Sequence, residues 1–211
     1  MRELKNPFAN HILFWAVVLP MVMLAILPAF LPRAYFEINP QEVSLAKQWA
    51  DIRSVNVSVN AHFTAWFIDT SFVDRSIDFF STNPLASFSS NAANANFSFT
   101  SNWIQNVWLM VYRSIWRIFA FWPVIGYAIL GVVVPFALDG AVSRSKKKYE
   151  FGFQNPVYFY SAMHIFSFCI GMAIFLPMLP MAINYEVLGV FIAALALASW
   201  VTAGNFQVGA G

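Results

Sequence analysis

A chain of 211 residues that is 59% hydrophobic and 10% charged holds more apolar surface than one soluble core can bury; an ordinary soluble domain is about 25% charged. The net charge of +2 gives no field to gather nucleic acid, and the single cysteine, Cys169, excludes an internal disulfide and any CxxC site. What remains is an all-α integral membrane protein, with 23 Phe and 8 Trp for apolar surfaces and interfacial belts.

The first apolar run, HILFWAVVLPMVMLAILPAFL at 11–31, is long enough to span a bilayer core. Arg2 and Lys5 precede it, so a cleaved signal peptide is the competing reading. The run is long for a signal core and PAFLPRAYF offers no clean small-x-small site, so an uncleaved anchor is expected. Pro20 predicts a kink or a freed carbonyl within it.

Residues 32–102 carry most of the acids and read as an external segment. INPQEVSLAKQWADI predicts a helix, with Asn39 as N-cap, Pro40 in first position and Glu42 in the first turn. SVNVSVNA alternates apolar and polar residues like a strand but lies between helical patterns, so both readings stay open. Phe63, Trp66, Phe67, Val73, Ile77 and Phe80 form one helical stripe, with Asp69, Asp74 and Asp78 opposite. That predicts an amphipathic helix lying on a membrane or a partner. STNPLASFSSNAANANFSFTSN, 81–102, predicts a loop. Asn56 and Asn96 head N-x-S matches that are common by chance.

Residues 103–140 exceed one crossing, and a span near 118–138 with an interfacial lead-in is expected. Arg113 and Arg117 share a helix face. The favoured reading is a pair reaching for headgroups; the alternative is burial against an acidic residue of a partner. A third span is expected near 157–180 and a fourth near 187–203, where Gly189, Ala193, Ala194 and Ala198 offer a small-residue face for another helix.

The organisation expected is therefore a cytoplasmic N-terminus and first helix (1–31), an external, partly helical segment (32–102), and a three-helix membrane region (103–211) with a basic loop at 139–156. Arg144, Lys146, Lys147 and Lys148 in that loop are a third of the chain's twelve Lys and Arg. By the positive-inside rule this loop and residues 1–10 face the cytoplasm, which places both termini there. Near anionic headgroups each base contributes about 1 kcal/mol of attraction, enough for an orientation collar.

Chemistry is hard to find in these residues. There is no GxxxxGK[ST], HExxH or GxSxG. His11, His62 and His164 are far apart, and His164 and Cys169 lie about 140° apart on a helix. No catalytic, cofactor or metal site is expected. A small transporter or pore is the alternative to an accessory subunit, with Ser161, His164, Ser167, Ser199 and Thr202 as its only polar face in the spans.

ALDGAVSRSKKKYEFGFQNPVYFYSAMHIF and FLPMLPMAINYEVLGVFIAALALASWVTAGNFQ resemble the DtrJ-like family of inner-membrane proteins of integrative conjugative elements and conjugative plasmids. The resemblance rests on Asp139-Gly140 with Arg144 at the end of one span, on Tyr158 and Tyr160 at the entry to the next, and on Thr202-Ala203 with Phe206. It runs from about residue 103 to the end; the first half agrees only in layout. The family's bases after the tyrosine cluster and after the late Phe are replaced here by Ser161–His164 and by Gln207. The resemblance implies a non-enzymatic inner-membrane accessory subunit of conjugative DNA transfer by type IV secretion. The implied partners are other membrane subunits and the coupling ATPase, with no sequence-specific nucleic-acid binding. Asp139, Gly140, Arg144, Lys146, Lys147 and Lys148, together with Arg113 and Arg117, are the expected partner or lipid contacts.

Overall fold

A computed structural model describes residue 10 and residues 13–81, 90–149 and 156–205. Among these residues every regular element is a helix: α1 (Leu19–Phe30), α2 (Pro40–Ala46), α3 (Ile52–Phe63), α4 (Phe72–Ser81), α5 (Ser90–Ala128), α6 (Val134–Tyr149), α7 (Pro156–Phe175) and α8 (Tyr185–Asn205). The chain forms two compact units. One comprises Met1–Leu19, Pro123–Leu176 and Ile183–Gly211, the other Pro20–Trp122 and Pro177–Ala182. Pro20, Pro123 and Pro177 each open a new stretch at a unit boundary.

Two prolines are absorbed by one local device. A π-helical turn spans Phe14–Val18, and the Leu19 amide donates to Phe14 O; Pro20 follows directly. A second π-helical turn spans Ile129–Val133, the Val134 amide donates to Ile129 O, and Pro135 follows. Proline has no N–H and its ring crowds the carbonyl four residues back. Widening the turn just before it lets the helix continue, a local disturbance at the place where a kink or a freed carbonyl was expected.

In the second unit α2 begins as expected: Asn39 Oδ1 accepts from the Gln41 amide at 2.8 Å, with Pro40 first in the helix. The ambiguous SVNVSVNA stretch is helical. Asp51 caps α3 by accepting from the Arg53 amide at 3.1 Å, and Val55 and Val59 are its buried residues. A period-two pattern contains every i, i+4 pair, so alternation alone could not decide it. The amphipathic helix expected over 63–80 is two pieces. A π-helical turn at Thr64–Ile68 is followed by Ser71 at φ 55°, and α4 starts anew at Phe72. Asp69, Asp74 and Asp78 are exposed as expected, while Val73, Ile77 and Phe80 are half-buried.

The loop expected at 81–102 is corrected from residue 90 onward, because α5 begins at Ser90; residues 82–89 lie outside the described residues. Extending a helix by a residue is far easier than nucleating one, so the Ala-containing SNAANAN stretch joins the apolar helix that follows. At 39 residues α5 is about 58 Å long at 1.5 Å per residue. The basic loop expected at 139–156 is corrected in the same way: α6 carries Arg144 through Lys148 and ends at Tyr149, and 150–155 lie outside the described residues. The third apolar helix stops at Phe175, earlier than expected. A 3-10 turn at Leu176–Met178 follows, in a segment holding Pro177 and Pro180.

In the first unit α6 and α8 approach at Gly140. A side chain there would strike the Trp200 carbonyl and the Ala203 methyl, and a Cβ on Gly204 would lie 3.4 Å from Gly140 O. Trp15 similarly covers Gly171 and stacks edge-on against Phe168 at 4.8 Å. Of the small-residue face expected at Gly189, Ala193, Ala194 and Ala198, Ala198 is buried and Ala194 half-buried, whereas Gly189 faces open space and Ala193 is exposed.

Two helices are long and apolar enough to cross a membrane, Asn102–Lys146 and Tyr185–Asn205. Only 17% and 28% of their most apolar stretches are buried, unlike the core helix of a soluble protein. Phe14–Phe30 and Tyr160–Ala173 are shorter apolar helices.

Candidate functional site

Within the second unit α5 is read on three sides. Trp103 donates through Nε1 to Ala25 O at 2.9 Å, and Asn106 through Nδ2 to Pro28 O at 3.3 Å, which fixes α1. Trp108, Tyr112 and Trp116, four residues apart, present their polar tips to Ser76 Oγ, Asn60 Oδ1 and Asn56 Oδ1 at 2.9, 2.7 and 2.9 Å. Asn56 and Asn60 share one face of α3, so the two ladders match rung for rung. Phe63, Phe67 and Phe72 surround the Trp108 ring at 6.1, 5.2 and 5.8 Å. Phe36, Met110 and Met178 form one buried apolar cluster, with Leu24, Leu27, Leu31 and Leu109 against it.

The third side of α5 carries Arg113 and Arg117. They are 2% and 1% exposed, and Glu42 is 0% exposed. The interfacial, headgroup-seeking reading of these arginines is therefore corrected: both are buried in protein, and the acid that meets Arg117 belongs to the same chain. Arg117 Nε and Nη2 donate to Glu42 Oε2 and Oε1 at 3.1 and 2.5 Å, a two-pronged ion pair. Its remaining donors go to carbonyls: Nη1 to Pro177 O at 2.9 Å and Leu179 O at 2.6 Å, and Nη2 to Met181 O at 2.6 Å. Arg113 donates through Nη1 to Tyr35 O and through Nη2 to Leu179 O at 2.8 Å and Met178 O at 3.4 Å. Its guanidinium stands 6.0 Å from the Phe36 ring centre. Ser114 Oγ adds a bond to Pro177 O at 3.3 Å.

The arrangement has a cause in the sequence. LPMLPM contains two residues without N–H groups, so residues 177–181 cannot close a helical ladder and leave carbonyls unmatched. A buried, unmatched carbonyl costs about 1–3 kcal/mol. Two guanidiniums on adjacent turns of α5 supply donors to Pro177, Met178, Leu179 and Met181 together. Glu42 then balances one of the two charges. The sequence reading placed Glu42 only in the first turn of α2 and missed its pairing. Pro177 and Pro180 beside a charge-poor span, with two arginines on one face elsewhere, were the available signal.

In the first unit Asp139 is exposed and accepts from Trp200 Nε1 at 2.8 Å through Oδ2. Gly140, beside it, is the point where α8 comes closest. Asp139-Gly140 thus has a packing explanation: the glycine admits the neighbouring backbone and the carboxylate holds the indole. Arg144 is half-buried and Lys146 exposed on the next turns of α6. Lys147 and Lys148 continue the helix, and their side chains lie outside the described residues, as does Phe206. Ala203 of the Thr-Ala pair meets Gly140. Among the described residues no three His, Cys, Asp or Glu side chains gather where they would hold a metal ion.

A family model described as IncC plasmid conjugative DNA transfer protein DtrJ-like matches residues 39–207. The chain belongs to the DtrJ-like family. The match starts well upstream of residue 103, so it takes in Glu42, the α3 asparagines and both arginines as well as Asp139-Gly140. This DtrJ-like chain is accordingly a conjugative DNA transfer protein, in a family described by DNA transfer and not by a catalytic activity. No curated protein and no solved structure matches it.

Proposed function

We propose that this DtrJ-like protein is a non-enzymatic inner-membrane accessory subunit of the conjugative type IV secretion apparatus and that it partners the coupling ATPase. The family match over residues 39–207 carries the reading. The exposed apolar helices support membrane residence. The four-span arrangement pairs Asn102–Lys146 and Tyr185–Asn205 with the shorter helices Phe14–Phe30 and Tyr160–Ala173. Both termini and the basic end of α6 are then cytoplasmic, and residues 32–102 external. Asp139, Gly140, Arg144 and Lys146–Lys148 form the cytoplasmic contact in this reading, with Arg113 and Arg117 holding the external unit together.

Two of the polar groups that the transporter alternative would use are already committed within their own helices. Ser167 and Ser199 donate to Met163 O and Leu195 O of their own helices, at 2.8 and 2.7 Å.

Deleting the coding sequence is expected to abolish DNA transfer, and affinity capture of the tagged protein from solubilised membranes is expected to recover the coupling ATPase. Normal transfer by the deletion strain overturns the reading. Cysteines placed at Ser71, Ser145 and Asn184 test topology with an impermeant thiol reagent: Ser71 and Asn184 are expected to label in intact cells and Ser145 only after lysis. Reversing the charge of Lys146, Lys147 and Lys148 separates collar from handle. A handle loses transfer with topology unchanged, whereas a collar loses topology.

A further inference from the structure

The buried centre of the second unit is unbalanced. Arg113 and Arg117 bring two positive charges and Glu42 one negative, all three essentially inaccessible to solvent. Arg117 has the carboxylate. Among the described residues Arg113 donates to carbonyl oxygens and stands by the Phe36 ring, the Glu42 charge also acts on it, and its buried Nε has no hydrogen-bond partner. Two buried cations that share one carboxylate are costly, and the cost is offset when a second anion arrives.

The two guanidiniums also line a cleft of about 330 Å³, walled by Tyr35, Asn39, Pro180 and Met181. Glu37 lines it too, yet its side chain is more than half exposed and its carboxylate contacts Arg33 at 3.5 Å. The cleft is thus lined by the residue whose Nε lacks a partner, and it offers an incoming charge a path toward the centre.

We propose that this cleft receives an acidic side chain of a partner polypeptide, whose carboxylate accepts from Arg113 Nε–H and brings the centre to two guanidiniums and two carboxylates. One free N–H suits a single carboxylate oxygen. A phosphate group seeks several donors, and here the guanidinium donors of Arg117 are already committed while Pro180 has no N–H to add. The Glu37 carboxylate on the wall opposes a doubly charged ligand more than a singly charged one. The inference extends beyond the coupling-ATPase reading and holds for whichever subunit supplies the acid.

The test uses the full-length protein in detergent micelles with 15N at arginine Nε. The Arg113 resonance is assigned by its loss in Arg113→Lys and, independently, by its proximity to the Phe36 ring. The probes are a short amide-capped peptide Gly-Ser-Glu-Ser-Gly, its Glu→Gln counterpart, acetate and inorganic phosphate, all at one ionic strength. The Glu peptide is expected to shift the Arg113 signal saturably and more tightly than acetate, with no saturable response to the Gln peptide or to phosphate. Glu37→Gln, an exposed change, is expected to tighten the Glu peptide several-fold by removing a like charge. No saturable shift in either protein overturns the proposal. Acetate binding as tightly as the peptide overturns a polypeptide source, and an equal response to phosphate overturns the carboxylate assignment.

Discussion

The two units hold their helices by opposite means. Around Gly140 the first unit relies on the absence of side chains: Gly140, Gly204 and Ala203 let two backbones touch, and one Trp200–Asp139 bond trims the edge. Around Arg117 the second unit relies on long, charged side chains reaching irregular backbone. Regular helices satisfy their own N–H and C=O groups, so only shape is left to match between them. The LPMLPM segment cannot satisfy its own, so donors must be brought to it. Charge is used in this protein where proline has removed the backbone's self-sufficiency.

The largest effect is expected at Arg117. Arg117→Met takes the two-pronged ion pair from the buried Glu42 and strips the Pro177, Leu179 and Met181 carbonyls of a donor. A loss of about 3–5 kcal/mol is expected, read as denaturant or thermal unfolding in detergent. The double variant Arg117→Met with Glu42→Met sharpens the comparison. An isolated buried ion pair is often replaceable by apolar residues without loss. Here the carbonyls still lack donors, so only part of the stability is expected to return. Full recovery breaks the account of the arginines as backbone donors.

Next is Gly140→Leu, where overpacking against the Trp200 carbonyl is expected to cost about 1–3 kcal/mol. Its control is Gly189→Ala, which faces open space and is expected to be neutral or stabilising by up to about 1 kcal/mol through helix propensity. Equal losses at both positions break the assignment of the close approach to Gly140. Trp116→Phe removes the bond to Asn56 Oδ1 and part of the buried ring system; about 1–2 kcal/mol is expected, with Asn56→Ala adding little in the double variant. The smallest effect is Arg33→Ala. Its pair with Glu37 is solvent-exposed, and a change within about 0.5 kcal/mol is expected.

Local signals were legible where they are short-ranged. The Asn39–Pro40 helix start, the disturbance at Pro20 and the acidic face of Asp69, Asp74 and Asp78 all depend on neighbours within a turn or two. Alternation in SVNVSVNA was undecidable because Val55 and Val59 fit a strand face and a helix face equally. The Ser/Asn composition of 90–102 pointed to a loop because local preference cannot weigh an existing helix that needs only to be extended. The family, too, was readable from the second half, although the match reaches back to residue 39.

By itself the sequence determined an all-helical, membrane-suited composition, the main apolar runs and membership in a DNA transfer family. Those follow from transfer energy per residue, from chain periodicity and from motif order, none of which needs a partner residue to be known. Only tertiary structure decided that Arg113 and Arg117 turn inward, that Glu42 leaves its own helix to meet Arg117, and that Gly140, not Gly189, marks the helix crossing. An arginine's direction is set by which acceptors it can reach, and here those acceptors include backbone carbonyls sixty or more residues away along the chain, in a segment holding two prolines.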